Sequence, residues 1–355
     1  MSEEYGTVKK AGWGCLGCGF GLMLSLFLVC GLTVLGLYWL GSMVSGDSGK
    51  SSSSPDDPDN LEEEYVMGKH DEKLPKIAVI NVRGVIVSDE DTLDNNLAHS
   101  RHICLRIRRA ASDKDVKALV VNLNTPGGEV VASDEIYAEI LRFRKTGKPA
   151  VAMMNTMAAS GGYYVAAACN PIIANKLTLT GSIGVIMSTI NYRGLFEKIG
   201  LQAEVYTSGK MKDMLNGARQ RTPEEIRIVQ QLVNNTYYEF TRIVAESRKI
   251  PVEKIRSTEI GDGRIFDGVQ AKKLGLVDSL GYFRDAVDTA AKKANLKPDS
   301  YQVICYKESF SFGRLFSLLT SRSGLKGVNV QLNGTPSAPV FTPQPGKLYY
   351  LPAQY

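Results

Sequence analysis

From Ala11 to Gly46 the chain carries no charged residue, and Phe20 to Val44 reads FGLMLSLFLVCGLTVLGLYWLGSMV. A helix needs roughly 20 apolar residues to cross a bilayer core, so this stretch predicts a transmembrane anchor over residues 14–45. A cleavable leader would carry an apolar region of about 7–15 residues before a small-residue cut site, and this run is too long for that. Lys9 and Lys10 precede it, whereas Asp47, Asp56, Asp57 and Asp59 follow. By the positive-inside rule, residues 1–13 lie in the cytoplasm and the remainder lies outside, on a single-pass protein of the cell (inner) membrane.

The next segment, GDSGKSSSSPDDPDNLEEE, is too polar to bury a core, and residues 46–75 are expected to be a flexible linker. Folded sequence begins at KIAVINVRGVIV, near Lys76. Expected elements then alternate: a basic helix at Arg101–Ala111, a strand at Val116–Leu123, a helix at Ser133–Arg144 and a strand at Pro149–Met154. After these come a helix following Ser160, strands at Pro171–Ala174 and Gln202–Tyr206, and a long helix over Thr222–Arg248. Thr222-Pro223-Glu224-Glu225 supplies that helix with an N-cap, a proline at its first position and acids in its first turn. The alternation predicts an α/β domain over residues 76–324, with continuously apolar strands buried on both faces. Residues 325–355, rich in Pro, Gly and Ser, are expected to form a mobile tail.

The net charge of +5 is small for 355 residues, and its lysines and arginines are scattered among acids, which argues against nucleic acid as a partner. The six cysteines are too dispersed for a disulfide framework. Cys15 and Cys18 are paired in a C-x-x-C but have no second ligand pair, so no metal is expected.

In VAMMNTMAASGGYYVAAACNP a serine and two glycines separate a strand from a helix. Backbone N–H groups there can face an oxyanion, and Gly161 leaves room for a substrate carbonyl. The simpler reading of Ser160 alone is an N-cap, with Gly161 and Gly162 allowing close packing. Upstream, Pro126-Gly127-Gly128 after a strand either supplies a second donor or is only a tight turn. A serine nucleophile needs a base. The three histidines, His70, His99 and His102, all lie upstream in polar stretches. YTSGKMKDML offers Lys210 and Lys212, which would face opposite ways in an extended segment. Lysine works as a base only when its pKa falls from about 10.4 toward neutrality; otherwise each is a surface charge. Ser182, in Thr180-Gly181-Ser182-Ile183-Gly184, could orient the amine or close a turn.

The blocks NTPGGEVVASDEI, MAASGGYYVAAACNPIIAN, LTLTGSIGVI, LFEKIGL, SGKMKDM and RIFDGVQAKKLGLVDSLG occur here in the order seen in signal peptide peptidase A. Across roughly residues 76–290 the chain resembles the single-domain form of that group, in peptidase family S49 of the Clp-protease/crotonase-like superfamily. The resemblance implies stacked ββα units behind a membrane helix, and a serine endopeptidase that degrades remnant signal peptides. It implies Ser160 as nucleophile, Lys212 as base and Ser182 as its positioner. Gly161 and one of Gly127 or Gly128, with Gly127 preferred, would form the oxyanion hole. No cofactor or metal is implied; peptides, membrane lipid and further copies of the chain would be the partners. Two alternatives are a crotonase-like acyl-CoA enzyme and a non-catalytic membrane scaffold.

Overall fold

The computed structural model describes residues 61–71, 73–88, 97–308 and 347–351, together with Leu35 and Pro58. The chain divides into two units between Asp56 and Asp57, and all the expected site residues belong to the second. Apart from Leu35, the expected anchor at 14–45, with Cys15 and Cys18, lies outside the described residues. Among the described residues no helix is long and apolar enough to cross a membrane.

The second unit is mixed α/β. Its strands are β1 (Leu61–Gly68), β2 (Lys76–Arg83), β3 (Val85–Val87), β4 (Leu97–His99), β5 (Val116–Thr125), β6 (Gly128–Glu129), β7 (Ala150–Ala159), β8 (Ile172–Ala174), β9 (Leu179–Gly181), β10 (Ile265–Phe266), β11 (Ser279–Leu280), β12 (Gln302–Glu308) and β13 (Tyr349–Tyr350). Its helices are α1 (Ser100–Ser112), α2 (Val130–Lys145), α3 (Gly161–Ala166), α4 (Arg193–Ile199), α5 (Pro223–Arg248), α6 (Val252–Ser257), α7 (Gly268–Lys273) and α8 (Phe283–Lys293). The main sheet runs β1-β12-β2-β5-β7-β8-β11, with β9 and β10 continuing from the end of β7. From β12 to β11 its pairs are parallel.

Alternate residues of the central strands serve two cores. Ile77, Val79, Ala118, Val120, Val151 and Met153 pack with Ala286, Val287 and Ala290 of α8. Ala78, Ile80, Leu119, Val121, Ala152 and Met154 face the other way, into the core that includes Ile107 of α1 and Ile136, Ile140 and Phe143 of α2. Both faces are covered, so the strands are continuously apolar. The second, smaller sheet, β13-β6-β3-β4, carries the Gly128 turn.

Three expectations fail on particular residues. Leu61–Gly68, within the expected linker, is a strand paired antiparallel with β12. Backbone pairing rather than burial holds it, since its central residues are exposed, and the Glu63–Lys76 and Glu64–Lys307 ion pairs tie its acids to neighbouring strands. Gln202–Tyr206 forms no strand and is exposed throughout. Tyr349–Leu351, inside the expected mobile tail, is buried against β6.

Candidate active site

Strand β7 carries the chain to Ser160, and α3 begins on the next residue. Ser160 takes φ 52° and ψ −113°, a region that costs a side-chain-bearing residue roughly 1–3 kcal/mol. The turn is held from the neighbouring strand: Ser160 N–H donates to the Gly181 carbonyl at 2.8 Å. Although Ser160 occupies the N-cap position of α3, its side chain caps nothing. Its hydroxyl is fully buried, at 0% residue exposure, and has no hydrogen-bond partner. A buried, unsatisfied hydroxyl normally costs about 1–3 kcal/mol. Strain and a missing partner therefore coincide at one atom, which the N-cap reading does not explain.

Two glycine segments meet beside Ser160. A Cβ added to Gly161 would stand 2.6 Å from Ser133 Oγ and 3.1 Å from the Gly128 nitrogen. One on Gly127, whose φ is +106°, would stand 2.7 Å from the Gly161 nitrogen and would overlap the Tyr350 carbonyl oxygen. The backbone groups of Gly127, Gly128 and Gly161 thus share one small space that only glycine leaves open. Gly127 N–H already donates to Thr125 Oγ1 at 3.1 Å, which sets the turn that presents Gly128. Gly162 serves the packing reading, because a Cβ there would meet Thr125 Cγ2 at 2.7 Å.

Ser182 follows directly on Gly181, is 4% exposed, and has φ 50°. Its N–H donates to the Arg264 carbonyl at 2.8 Å. The fold therefore brings together Ser160, Gly161, Gly127, Gly128 and the Gly181-Ser182 turn.

Lysine is placed differently. Lys210 and Lys212 are both exposed and lie in a series of turns, with Lys212 N–H donating to the Gly209 carbonyl at 3.1 Å. The extended geometry that would point them to opposite faces does not occur. Lys212 Nζ is not bonded to Ser160 Oγ, whose hydroxyl is unpartnered.

An extended segment lies across the site. β13 pairs antiparallel with β6, matching Tyr350 to Gly128, and Tyr349 also bridges Ile186. The Tyr350 ring is buried, stacked on Tyr164 at 4.9 Å between centroids and set against Phe240 at 4.7 Å. Tyr164 in turn donates to Asp134 Oδ1 at 2.7 Å. Lys347 anchors the segment through a 2.9 Å ion pair to Glu129, whose carboxyl is held below the usual range by Ser88 and Lys347 against the opposing effect of burial. Sequence reasoning missed Thr125, Ser133 and Tyr350. The first two lie inside blocks already noticed, next to the glycines they support, but no local pattern marks Tyr350.

Residues 142–297 match the family model for peptidase family S49. A protein of Enterococcus faecium assigned by name to signal peptide peptidase SppA is 36% identical over 259 residues, covering 71% of this chain and 73% of that protein. The chain belongs to peptidase family S49. The Synechocystis protease slr0021 is 41% identical over 64% of this chain and 78% of its own length. Protease 4 of Salmonella typhi is 38% identical over 64% of this chain but only 36% of its own, longer sequence. A solved Listeria monocytogenes ClpP1 variant overlays with a TM-score of 0.39 at 15% identity, over 59% of this chain and 94% of that one. Membership of S49 makes the chain a serine peptidase, a hydrolase of peptide bonds, and retires the acyl-CoA and scaffold alternatives. Among the described residues no cluster of three or more His, Cys, Asp or Glu could hold a metal ion.

Proposed function

We propose that this chain is a membrane-anchored serine endopeptidase that uses Ser160 as nucleophile and Lys212 as general base on remnant signal peptides or other membrane-associated peptides. The observation that carries this reading is the Ser160 hydroxyl, strained and unpartnered beside two facing glycine segments. β13 supports the mode of binding: an extended peptide takes its place, antiparallel to β6, with a large side chain in the pocket that Tyr350 fills.

Neutral Lys212 takes the proton from Ser160 as Oγ attacks the scissile carbonyl. The N–H groups of Gly161 and Gly128 hold the oxyanion; Gly127 is the weaker choice because Thr125 engages its N–H. The same amine then protonates the leaving nitrogen, and water releases the acyl group from Ser160. Ser182, next to the Gly181 carbonyl that fixes Ser160, orients the amine. Lys212 is exposed in the single chain, so its amine reaches the buried hydroxyl when copies of the chain assemble. The N-terminal apolar run of residues 14–45 holds the assembly at the membrane with its catalytic domains outside the cytoplasm.

Peptide hydrolysis by point variants tests the roles. Ser160→Ala and Lys212→Ala each abolish turnover, while Lys210→Ala keeps most of it. Turnover surviving in Lys212→Ala, or lost only in Lys210→Ala, would overturn the base assignment.

A further inference from the structure

Residues 201–208, upstream of the turn that carries Lys212, are exposed and without regular secondary structure. Two anchors tie the turn down. One is Gly217, whose carbonyl accepts the N–H groups of Tyr192 and Arg193 at 3.0 and 3.1 Å. The other is Arg219. Its guanidinium grips both oxygens of Asp213, at 2.8 Å from Nε and 2.7 Å from Nη2, and also reaches the Asp213 carbonyl at 3.3 Å. The same group bonds both oxygens of Glu225, at 3.0 Å for the Nη1 contact. Glu225 is 2% exposed and closes the capping box of α5 with Thr222. One planar cation thus bolts the residue next to Lys212 to the start of a 26-residue helix.

Asp213 matters for a second reason. A free carboxylate one residue from Lys212 would favour the ammonium form, and a base must be neutral. With both its oxygens on Arg219, Asp213 is turned to another partner.

We infer that Arg219 is a positioning residue for the Lys212 amine, fixing the turn that carries it and keeping the Asp213 carboxylate engaged elsewhere. This rests on Lys212 being the base.

The test compares kcat and KM for a peptide substrate in Arg219→Gln, Asp213→Asn, the double variant, Arg219→Lys and Lys212→Ala, well below each variant's unfolding temperature. Arg219→Gln loses roughly ten- to a hundred-fold in kcat, the scale of a small misplacement of a reacting group, with KM little changed. The double variant recovers to the level of Asp213→Asn, because the stray carboxylate is gone. Arg219→Lys, a point charge without the planar fork, recovers only part. Should Arg219→Gln fail to fold, Asp213→Asn keeps the shape and must still lower kcat at constant KM. If Lys212→Ala is inactive while Arg219→Gln keeps full kcat, Arg219 has no positioning role; if the double variant gains nothing over Arg219→Gln, the freed Asp213 carboxylate is not a source of the loss and that half of the inference is overturned. Activity in Lys212→Ala would instead remove the base assignment beneath the inference.

Discussion

Ser160 holds a left-handed backbone and a buried hydroxyl without a partner, both of which cost stability in the resting protein. Removing the hydroxyl should therefore stabilise the fold while it abolishes peptidase activity. Ser160→Ala should unfold at a higher denaturant concentration than the wild type, and Ser160→Gly, which also relieves the backbone, should be worth about 1 kcal/mol in the same direction. Equal or lower midpoints for both variants would mean that the residue is not under strain. Gly161→Ala makes a complementary case. Its methyl would enter the space between Ser133 Oγ and the Gly128 nitrogen, so kcat should fall by about a hundred-fold or more, as when an oxyanion donor is lost. At this scale the sequence showed Ser160 and the glycines as places where something special had to happen. It could not show that the hydroxyl caps nothing, because a capping serine and a nucleophilic serine are written with the same letters.

Between residue and domain, the elements that matter are β6, β13 and the start of α5. Tyr349–Tyr350 pairs as a strand with Gly128–Glu129, and Ser160 is buried. Deleting residues 347–355 should expose the hydroxyl and speed its modification by a small serine-reactive probe; an unchanged rate would show that the segment is not what covers it. At α5, Arg219 holds the Glu225 carboxyl at about 2, below its ordinary 4.5. A depressed carboxylate contributes stability that is complete above the unfolded pKa and lost as pH falls through the folded one. The stability gap between wild type and Arg219→Gln should be widest above about pH 4.5 and should close as pH falls toward 2. A gap independent of pH would exclude the ion pair as its source. α5 itself was legible, since Thr222, Pro223 and Glu225 spell out a helix start. β1 was not, because a strand whose stability comes from backbone pairing at a sheet edge needs no apolar pattern. Gln202–Tyr206 erred in the other direction: a strand was expected where the segment is exposed and pairs with none of the described strands.

For the whole molecule, the fold buries Ser160 and leaves Lys212 exposed. The parallel sheet and its two covered faces followed from the alternation of apolar strands with helices. The proposed meeting of Ser160 with Lys212 did not, because no local pattern records which distant surfaces come together, whether within one chain or between copies. If the amine arrives from a neighbouring copy, co-assembling Ser160→Ala with Lys212→Ala should restore activity that neither has alone; no restoration would confine the dyad to one chain. The most direct measurement is covalent labelling by a serine-reactive probe, mapped by mass spectrometry, in the wild type and in Ser160→Ala, Lys212→Ala and Lys210→Ala. The Ser160–Lys212 dyad predicts label on Ser160 in the wild type and in Lys210→Ala, and none in the other two. Label that persists on another serine in Ser160→Ala, or at full rate in Lys212→Ala, would contradict it.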